Sequence, residues 1–306
     1  MRAVTYPAYS TDLATLRVAE VPRPKLAPSA VLIEVRAAAV NPVDWKVMAG
    51  GLDGLLDAVF PVIPGWDVSG VVVAVGPDTP EFAVGDEVIA YARKDTVGAG
   101  TFAELVAVPA VAVAHKPTSL TFEQAAGLPL AGGTALRTLD ALEVAAGDTL
   151  LIHAAAGGVG SFGVQIAVAR GARVIGTASE SNHAFLRELG AEPVTYGDGV
   201  IDRIRALAPG GVDAVADFVG GQLETSLAVL AQGGRQASIA DPGVIEHGGR
   251  WIWVRPDGAE SARLATLADG GKLTVEVAET FGLDEVADAF AQSQAGHVRG
   301  KLIIIP

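Results

Sequence analysis

Leu150-Leu151-Ile152-His153-Ala154-Ala155-Ala156-Gly157-Gly158-Val159-Gly160 is an apolar run that ends in a cluster of small residues and glycines. An apolar-periodic segment follows, and then a second run, Ala172-Arg173-Val174-Ile175-Gly176-Thr177-Ala178-Ser179. Strand, glycine turn, helix and strand within about 30 residues make a βαβ unit of the size that binds dinucleotides. Gly157 falls where the backbone must approach a pyrophosphate with no side chain in the way, and Gly160 where the new helix must pack closely on the strand it left. Ala155 holds the first position of the G-x-G-x-x-G pattern, so the fingerprint is one glycine short. Backbone N–H groups at Gly158, Val159 and Gly160 open the helix and would face an anion, with the helix dipole adding to their pull. Glycine also serves tight strand-to-helix turns for steric reasons alone. The order of elements around this turn favours the phosphate-binding turn of a Rossmann domain.

The chain of 306 residues, 50% hydrophobic, has room for two domains with sizeable cores. Its formal charge of −13 argues against nucleic acid or an anionic membrane as partner, since both require a basic patch to offset phosphate charge. With no cysteine, disulfides, thiolate nucleophiles and cysteine-ligated zinc are excluded. Met1-Arg2-Ala3-Val4-Thr5-Tyr6 enters a strand-like segment without a signal-peptide core, and no uninterrupted apolar stretch reaches the length of a membrane span. The expected location is cytoplasmic.

The first third reads as β-rich, with strands at 31–35, 68–76, 84–90, 100–108 and 111–113 punctuated by prolines and glycines. Thr121-Phe122-Glu123-Gln124 has the form of a capping box, opening a helical stretch through Leu142 with a break expected near Gly132-Gly133. From Thr149 strands at 149–154, 172–177, 193–196, 212–217, 234–239 and 252–254 alternate with helices at 159–170, 182–189, 200–208 and 222–232, and one more helix is expected at 258–268. That alternation predicts a parallel doubly wound sheet. The final stretch reads strand, helix, strand and is expected to return to the first domain.

Ala39-Val40-Asn41-Pro42-Val43-Asp44-Trp45-Lys46, Pro64-Gly65-Trp66-Asp67-Val68-Ser69-Gly70, Val84-Gly85-Asp86-Glu87-Val88, Gly100-Thr101-Phe102-Ala103-Glu104, the glycine turn and Gly296-His297-Val298-Arg299-Gly300-Lys301-Leu302 follow one another in order. On these motifs nearly the whole chain resembles the medium-chain dehydrogenase/reductase superfamily, and within it the zinc-free quinone oxidoreductase branch. The resemblance implies an α/β protein in which a Rossmann doubly wound parallel sheet (118–270) is inserted in a GroES-like β-rich catalytic domain (1–117, completed by 271–306), with the active site in the cleft. It also implies pairing into a homodimer through the edge of the parallel sheet, near 234–239 and 243–254 with Trp251 and Trp253. The zinc branch has a Cys ligand where this chain has Asn41 and a His where it has Trp66. Neither replacement is a zinc ligand, and His115, His153, His183, His247 and His297 are scattered without ligand spacing.

An NAD-selective turn carries an acid at the end of the second strand, and this one ends Thr177-Ala178-Ser179. The acid-free end favours NADPH over NADH, and the resemblance implies phosphate contacts from Ser179 and Tyr196, against which Glu180 is repulsive unless it points away. Ser179 as a helix cap and Tyr196 as a strand-end aromatic are the structural alternatives. Thr134 matches a family position near the cofactor. Loops after the later strands, at Phe218, Val219, Ser238, Ile239 and Arg255, should line the nicotinamide pocket by topology. Arg255 and Lys301 are candidate phosphate partners or plain surface charges. Asn41, whose amide both donates and accepts, is the candidate for orienting substrate or the nicotinamide ribose of the cofactor, and Tyr91 for supplying a proton. Asp44 reads as an electrostatic partner of Asn41 or, in preference, as a residue of the helix N-terminus, and Asp67 as a buried structural carboxylate rather than a base. These residues point to an NADPH-dependent reductase of a small electrophile, a quinone or α,β-unsaturated carbonyl. A 2-enoyl-thioester reductase of lipid or polyketide assembly and a non-catalytic NADPH-binding sensor remain the alternatives.

Overall fold

The computed structural model describes residues 1–296 and 298–306; His297, named above among the histidines and in the C-terminal motif, lies outside the described residues. The chain divides into two compact units, Met1–Leu130 with Arg255–Pro306, and Ala131–Val254. The first opens on an antiparallel pair, β1 (Arg2–Thr5) and β2 (Arg17–Glu20). β3 (Ala30–Val40), α1 (Pro42–Met48), β4 (Asp57–Ile63), β5 (Asp67–Val75), β6 (Glu87–Tyr91), β7 (Thr96–Ala99), β8 (Leu105–Pro109) and β9 (Val113–His115) follow. β3 pairs antiparallel with both β5 and β8, β5 with β6, and β6 with β9, while β4 and β7 form a separate parallel pair. The strand expected at 111–113 starts only at Val113, because Ala110–Ala112 close a 3-10 turn.

α2 (Phe122–Ala126) carries the expected capping box, with Thr121 Oγ1 accepting from the Gln124 N–H and Gln124 Oε1 accepting from the Thr121 N–H. α3 (Pro129–Ala141) runs unbroken through Gly132 and Gly133. The helical stretch is broken before Pro129 instead, where a ring without an N–H can start a helix but cannot continue one.

The second unit runs β10 (Thr149–His153), α4 (Gly158–Ala169), β11 (Arg173–Ala178), α5 (His183–Glu188), β12 (Ala191–Thr195), α6 (Val200–Leu207), β13 (Val212–Asp217), α7 (Leu223–Val229), β14 (Leu230–Ser238) and β15 (Arg250–Trp251). All its strand pairs are parallel, in the order β12-β11-β10-β13-β14-β15. The chain therefore winds outward from β10 in one direction and then from β13 in the other, which puts the topological switch point between those two strands. Leu151, Ile175, Val194, Ile204, Val212, Val215 and Val229 bury their side chains in one cluster of this unit. The strand expected at 252–254 is replaced by the two-residue β15, which finds partners only at Ala237 and Ser238.

The chain then re-enters the first unit with α8 (Gly258–Asp269), β16 (Val277–Gly282), α9 (Val286–Ala295) and β17 (Lys301–Ile305), and β17 lies antiparallel to β3. The parallel-sheet unit, 131–254, is shorter than the expected 118–270 because α2 packs on β3 and β5 and α8 packs on β9. Gly258 lets α8 start against that strand: a Cβ there would lie 2.4 Å from the Val113 carbonyl oxygen. Among the described residues no helix is long and apolar enough to cross a membrane.

Gly160 is required where α4 meets β10, since a Cβ would stand 2.2 Å from the Ala154 carbonyl oxygen. Ala155, in the place of the missing glycine, is accommodated by a glycine elsewhere. A Cβ on Gly176 of β11 would fall 2.7 Å from the Ala155 methyl. Gly176→Ala is expected to destabilise the protein by roughly 1–3 kcal/mol, and Ala155→Gly to recover part of that loss in the double variant. Chemical denaturation of the four proteins reads the coupling; strictly additive costs would show that the two positions do not share the space.

Candidate active site

In the second unit α4 opens at Gly157, whose extended backbone (φ −75°, ψ 176°) turns the chain off β10. Gly157, Gly158 and Val159 remain half-exposed while Gly160 is buried against the strand. The nearest atom to a Cβ on Gly157 would be the Ala154 carbonyl oxygen at 3.3 Å, so the space over that residue faces outward. Helix-starting N–H groups have no acceptor within their own helix, and here they meet the half-exposed surface. The residues fit a diphosphate.

Ala178 of β11 pairs with Thr195 of β12, which sets Ser179 and Tyr196 side by side at the carboxyl ends of neighbouring strands. Ser179 makes no side-chain cap; its hydroxyl instead joins Ser181 Oγ at 2.9 Å and accepts from Asn182 Nδ2 at 3.0 Å. Tyr196 is 52% exposed and Glu180 is exposed beside Ser179. Arg203, which the sequence reading missed, donates from Nε and Nη2 to the Thr195 carbonyl at 3.0 and 2.8 Å. Its signal was available: a basic residue one turn into the helix that follows Tyr196-Gly197-Asp198-Gly199.

At the switch point His153, Asp217 and Ser238 end three adjacent strands in register. All are buried. Burial pushes the His153 imidazole down to about 4, against the pull of Asp217. Asp217 Oδ2 accepts from Ser238 Oγ at 2.9 Å, and its Oδ1 accepts from the N–H groups of Val219 and Gly220. Ser238 thus takes a place below the loops and does not line a pocket as expected, whereas Val219 is exposed and Ile239 half-exposed. Phe218 lies against α4, with its ring 2.8 Å from where a Gly163 Cβ would stand. Thr134 is buried within α3.

In the first unit three antiparallel ladders bring the end of β3, the start of β5, the end of β6 and the start of β17 to one edge. Lys301, fully withdrawn from solvent, donates to Asn41 Oδ1 at 2.6 Å and to the Val40 carbonyl at 3.2 Å. Asn41 Nδ2 donates to Asp67 Oδ2 at 2.9 Å and to the Ala39 carbonyl at 3.3 Å, and Asp67 Oδ1 accepts the Leu130 N–H at 2.8 Å. Lys301 therefore points into the core, away from the phosphate role expected of it. Both amide protons of Asn41 are taken, and its side chain bridges Lys301 and Asp67. Arg255, the other expected phosphate partner, is exposed and paired with Asp257 at 3.2 Å.

Asp44 Oδ2 accepts the Asn41 N–H at 2.7 Å as the third residue of α1, the structural role preferred from the sequence, and its other oxygen has no hydrogen-bond partner among the described residues. Burial pushes the Asp44 carboxyl up to about 8, with the Asp67 charge adding to the rise and the Asn41 N–H and Lys301 opposing it. Burial likewise raises Asp67 to about 6 against the pull of Lys301, and lowers Lys301. The Tyr91 ring stands edge-on to Trp66 with centroids 6.1 Å apart. Burial raises its phenol well above the ordinary value, with Arg93 opposing.

With this geometry in view, residues 27–118 match the alcohol dehydrogenase GroES-like domain and residues 189–304 a zinc-binding dehydrogenase domain. The chain is 35% identical to the NADPH-dependent alkenal/one oxidoreductase of Arabidopsis thaliana chloroplasts, over 92% of this chain and 74% of that protein. It is 34% identical to 2-methylene-furan-3-one reductase of Solanum lycopersicum, covering 100% and 79%. The solved quinone oxidoreductase of Coxiella burnetii superposes with a TM-score of 0.88 at 34% identity, covering 100% and 99%. The chain belongs to the medium-chain dehydrogenase/reductase superfamily, in its quinone oxidoreductase branch. The zinc named in the second domain's description does not fit the donors of this member. Asn41 is spent on Lys301 and Asp67, Trp66 offers a ring, and an ammonium stands among the candidate ligands.

The raised Asp44 has a consequence for stability. The folded carboxyl keeps its proton to about pH 8 while the unfolded one releases it near its ordinary value of 3.8, so unfolding releases a proton between those values and this group's contribution falls as pH rises through them. Asp44→Asn retains the acceptor for the Asn41 N–H and is expected to flatten the decline. Melting temperatures at pH 5 and pH 8 should differ less in the variant than in the parent, and an unchanged difference would remove Asp44 as its source.

Proposed function

We propose that the protein is a zinc-independent, NADPH-dependent reductase that transfers a hydride to a quinone or an α,β-unsaturated carbonyl. The observation that carries this reading is the half-exposed opening of α4 beside a β11 end with no ribose-binding acid at Ala178. A relative named for NADPH-dependent alkenal/one reduction and a neighbour solved as a quinone oxidoreductase support the same chemistry. When bound, the reduced nicotinamide supplies the hydride; the chain must hold it, orient the acceptor and keep a proton available. The N–H groups of Gly158, Val159 and Gly160 would hold the diphosphate, and Ser179 and Tyr196 the ribose phosphate. Val219, Ile239 and Thr134 would border the nicotinamide, with Phe218 packed behind them. An electron-poor acceptor takes a hydride without a Lewis acid, which agrees with a donor set that suits no metal. Asn41 acts by positioning, and Tyr91, protonated through the physiological range, is the hydroxyl that would meet the oxygen gaining charge.

Steady-state oxidation of NADPH with a quinone, a simple enone and a crotonyl thioester tests the reading, with turnover expected on the first two. Fastest turnover of the thioester would make the protein an enoyl-thioester reductase, and NADPH binding without turnover a sensor. Tyr91→Phe is expected to lower kcat for the enone by about tenfold or more.

The proposal includes a homodimer. β15 is the outer strand of the parallel sheet, and Trp251 and Trp253 beside it, ring centroids 5.8 Å apart, are each 40% exposed. A strand edge flanked by exposed indoles is completed by a second copy. Light scattering should give twice the chain mass of 31.1 kDa, and Trp251→Glu should halve it; a parent protein that scatters as a monomer would contradict the pairing.

A further inference from the structure

A ribose 2′-phosphate carries nearly two negative charges, and the surface where β11 and β12 end must supply the opposite sign. Ser179 offers a hydroxyl, already engaged with Ser181 and Asn182, and Glu180 adds a negative charge at the same strand end. The cation comes from the next helix. Arg203 reaches back from α6 so that Nε and Nη2 grip the Thr195 carbonyl, while Nη2 also approaches the carbonyl oxygens of Tyr196 and Gly197 at 3.5 and 3.3 Å. These partners are neutral, and among the described residues no carboxylate lies within ion-pairing distance of the guanidinium. Its charge is therefore not spent on an ion pair, and the exposed Asp198 of the gripped segment stands outside that distance. Nη1 is turned toward Gly199, where an added Cβ would stand 3.2 Å from it, and donates to no described residue.

The grip also restrains Tyr196. Gly197 and Gly199 both sit in the left-handed region (φ 87° and 75°), so the segment after Tyr196 is built from residues that rotate easily. A planar fork holding three successive carbonyls fixes that segment in a way that a flexible ammonium cannot.

We propose that Arg203 sets the preference of this chain for NADPH over NADH, by clamping the backbone that carries Tyr196 and by setting a positive charge not spent on an ion pair against Glu180. This rests on the NADPH reading above. Calorimetric titration with adenosine 2′,5′-bisphosphate and with 5′-AMP isolates the 2′-phosphate from the rest of the cofactor. The parent protein should bind the bisphosphate at least tenfold more tightly than 5′-AMP. Arg203→Gln should lower that ratio at least fivefold, and the ratio of kcat/KM for NADPH over NADH with it. Arg203→Lys, which keeps the charge and loses the fork, should fall between the two and carries the test if the glutamine variant does not fold. Adding Glu180→Gln to Arg203→Gln should restore part of the ratio. If the parent discriminates and Arg203→Gln discriminates equally, or if the variant weakens both ligands alike, Arg203 is structural and the NADPH reading survives. A parent that does not favour the bisphosphate removes that reading and this proposal together.

Discussion

An ammonium taken out of water stays charged only where fixed acceptors replace its hydration, and Lys301 is held on those terms. Its nitrogen meets the Val40 carbonyl and Asn41 Oδ1, Asn41 passes the contact to Asp67, and Asp67 takes the N–H of Leu130 at the head of α3. One network thus joins β17, β3, β5 and the first turn of α3. None of the four can slip by a residue without leaving a buried charge unpaired, a loss of about 3–5 kcal/mol. The same network spends both donors of Asn41 and places a cation among the positions where relatives of another branch hold a metal. A single buried lysine thus ties the start of β17 to the end of β3.

The parallel-sheet unit uses buried polar groups differently. Asp217 and Ser238 stand at the ends of β13 and β14, and their side-chain oxygens accept from backbone N–H groups two or three residues further along: Val219 and Gly220 for Asp217, Ala240 and Asp241 for Ser238. Each side chain staples the loop that leaves its own strand, so the loops at the carboxyl ends are held from beneath. His153 completes the row in neutral form, its Nε2 3.3 Å from Ser226 Oγ. The loops at the carboxyl ends of this sheet are thus held by the protein's own side chains.

The alternation of strands and helices was legible from Thr149 onward, because buried parallel strands and amphipathic helices write different periods into the chain. The glycine turn was legible for the same steric reasons that the structure displays at Gly160, and the helix role of Asp44 followed from its spacing to Asn41. Local reasoning failed where the deciding partner was remote. Lys301 reads as a surface charge until its strand is laid beside β3, and its contact with Asn41 joins residues 260 positions apart. The helix break was misplaced because two glycines drew the eye from Pro129, whose missing N–H constrains the backbone more than glycine's freedom does. Ser238 was assigned to the pocket by topology, which locates a strand end but does not say which way a small hydroxyl turns.

A chain of net charge −13 that binds a polyanionic cofactor looks self-defeating until distance is considered. At physiological ionic strength the screening length is about 8 Å, so most exposed carboxylates contribute little at a given phosphate. What counts is the handful of groups that touch the phosphates. At the start of α4, where the diphosphate is proposed to lie, these are backbone N–H groups, which need no side-chain charge and cannot titrate. At the ends of β11 and β12, where the ribose phosphate is proposed to lie, Glu180 and Asp198 are exposed carboxylates and Arg203 is a guanidinium anchored to neutral carbonyls. On the proposed reading, cofactor recognition rests on local backbone geometry and one placed cation, while the overall acidity bears on the choice of macromolecular partners.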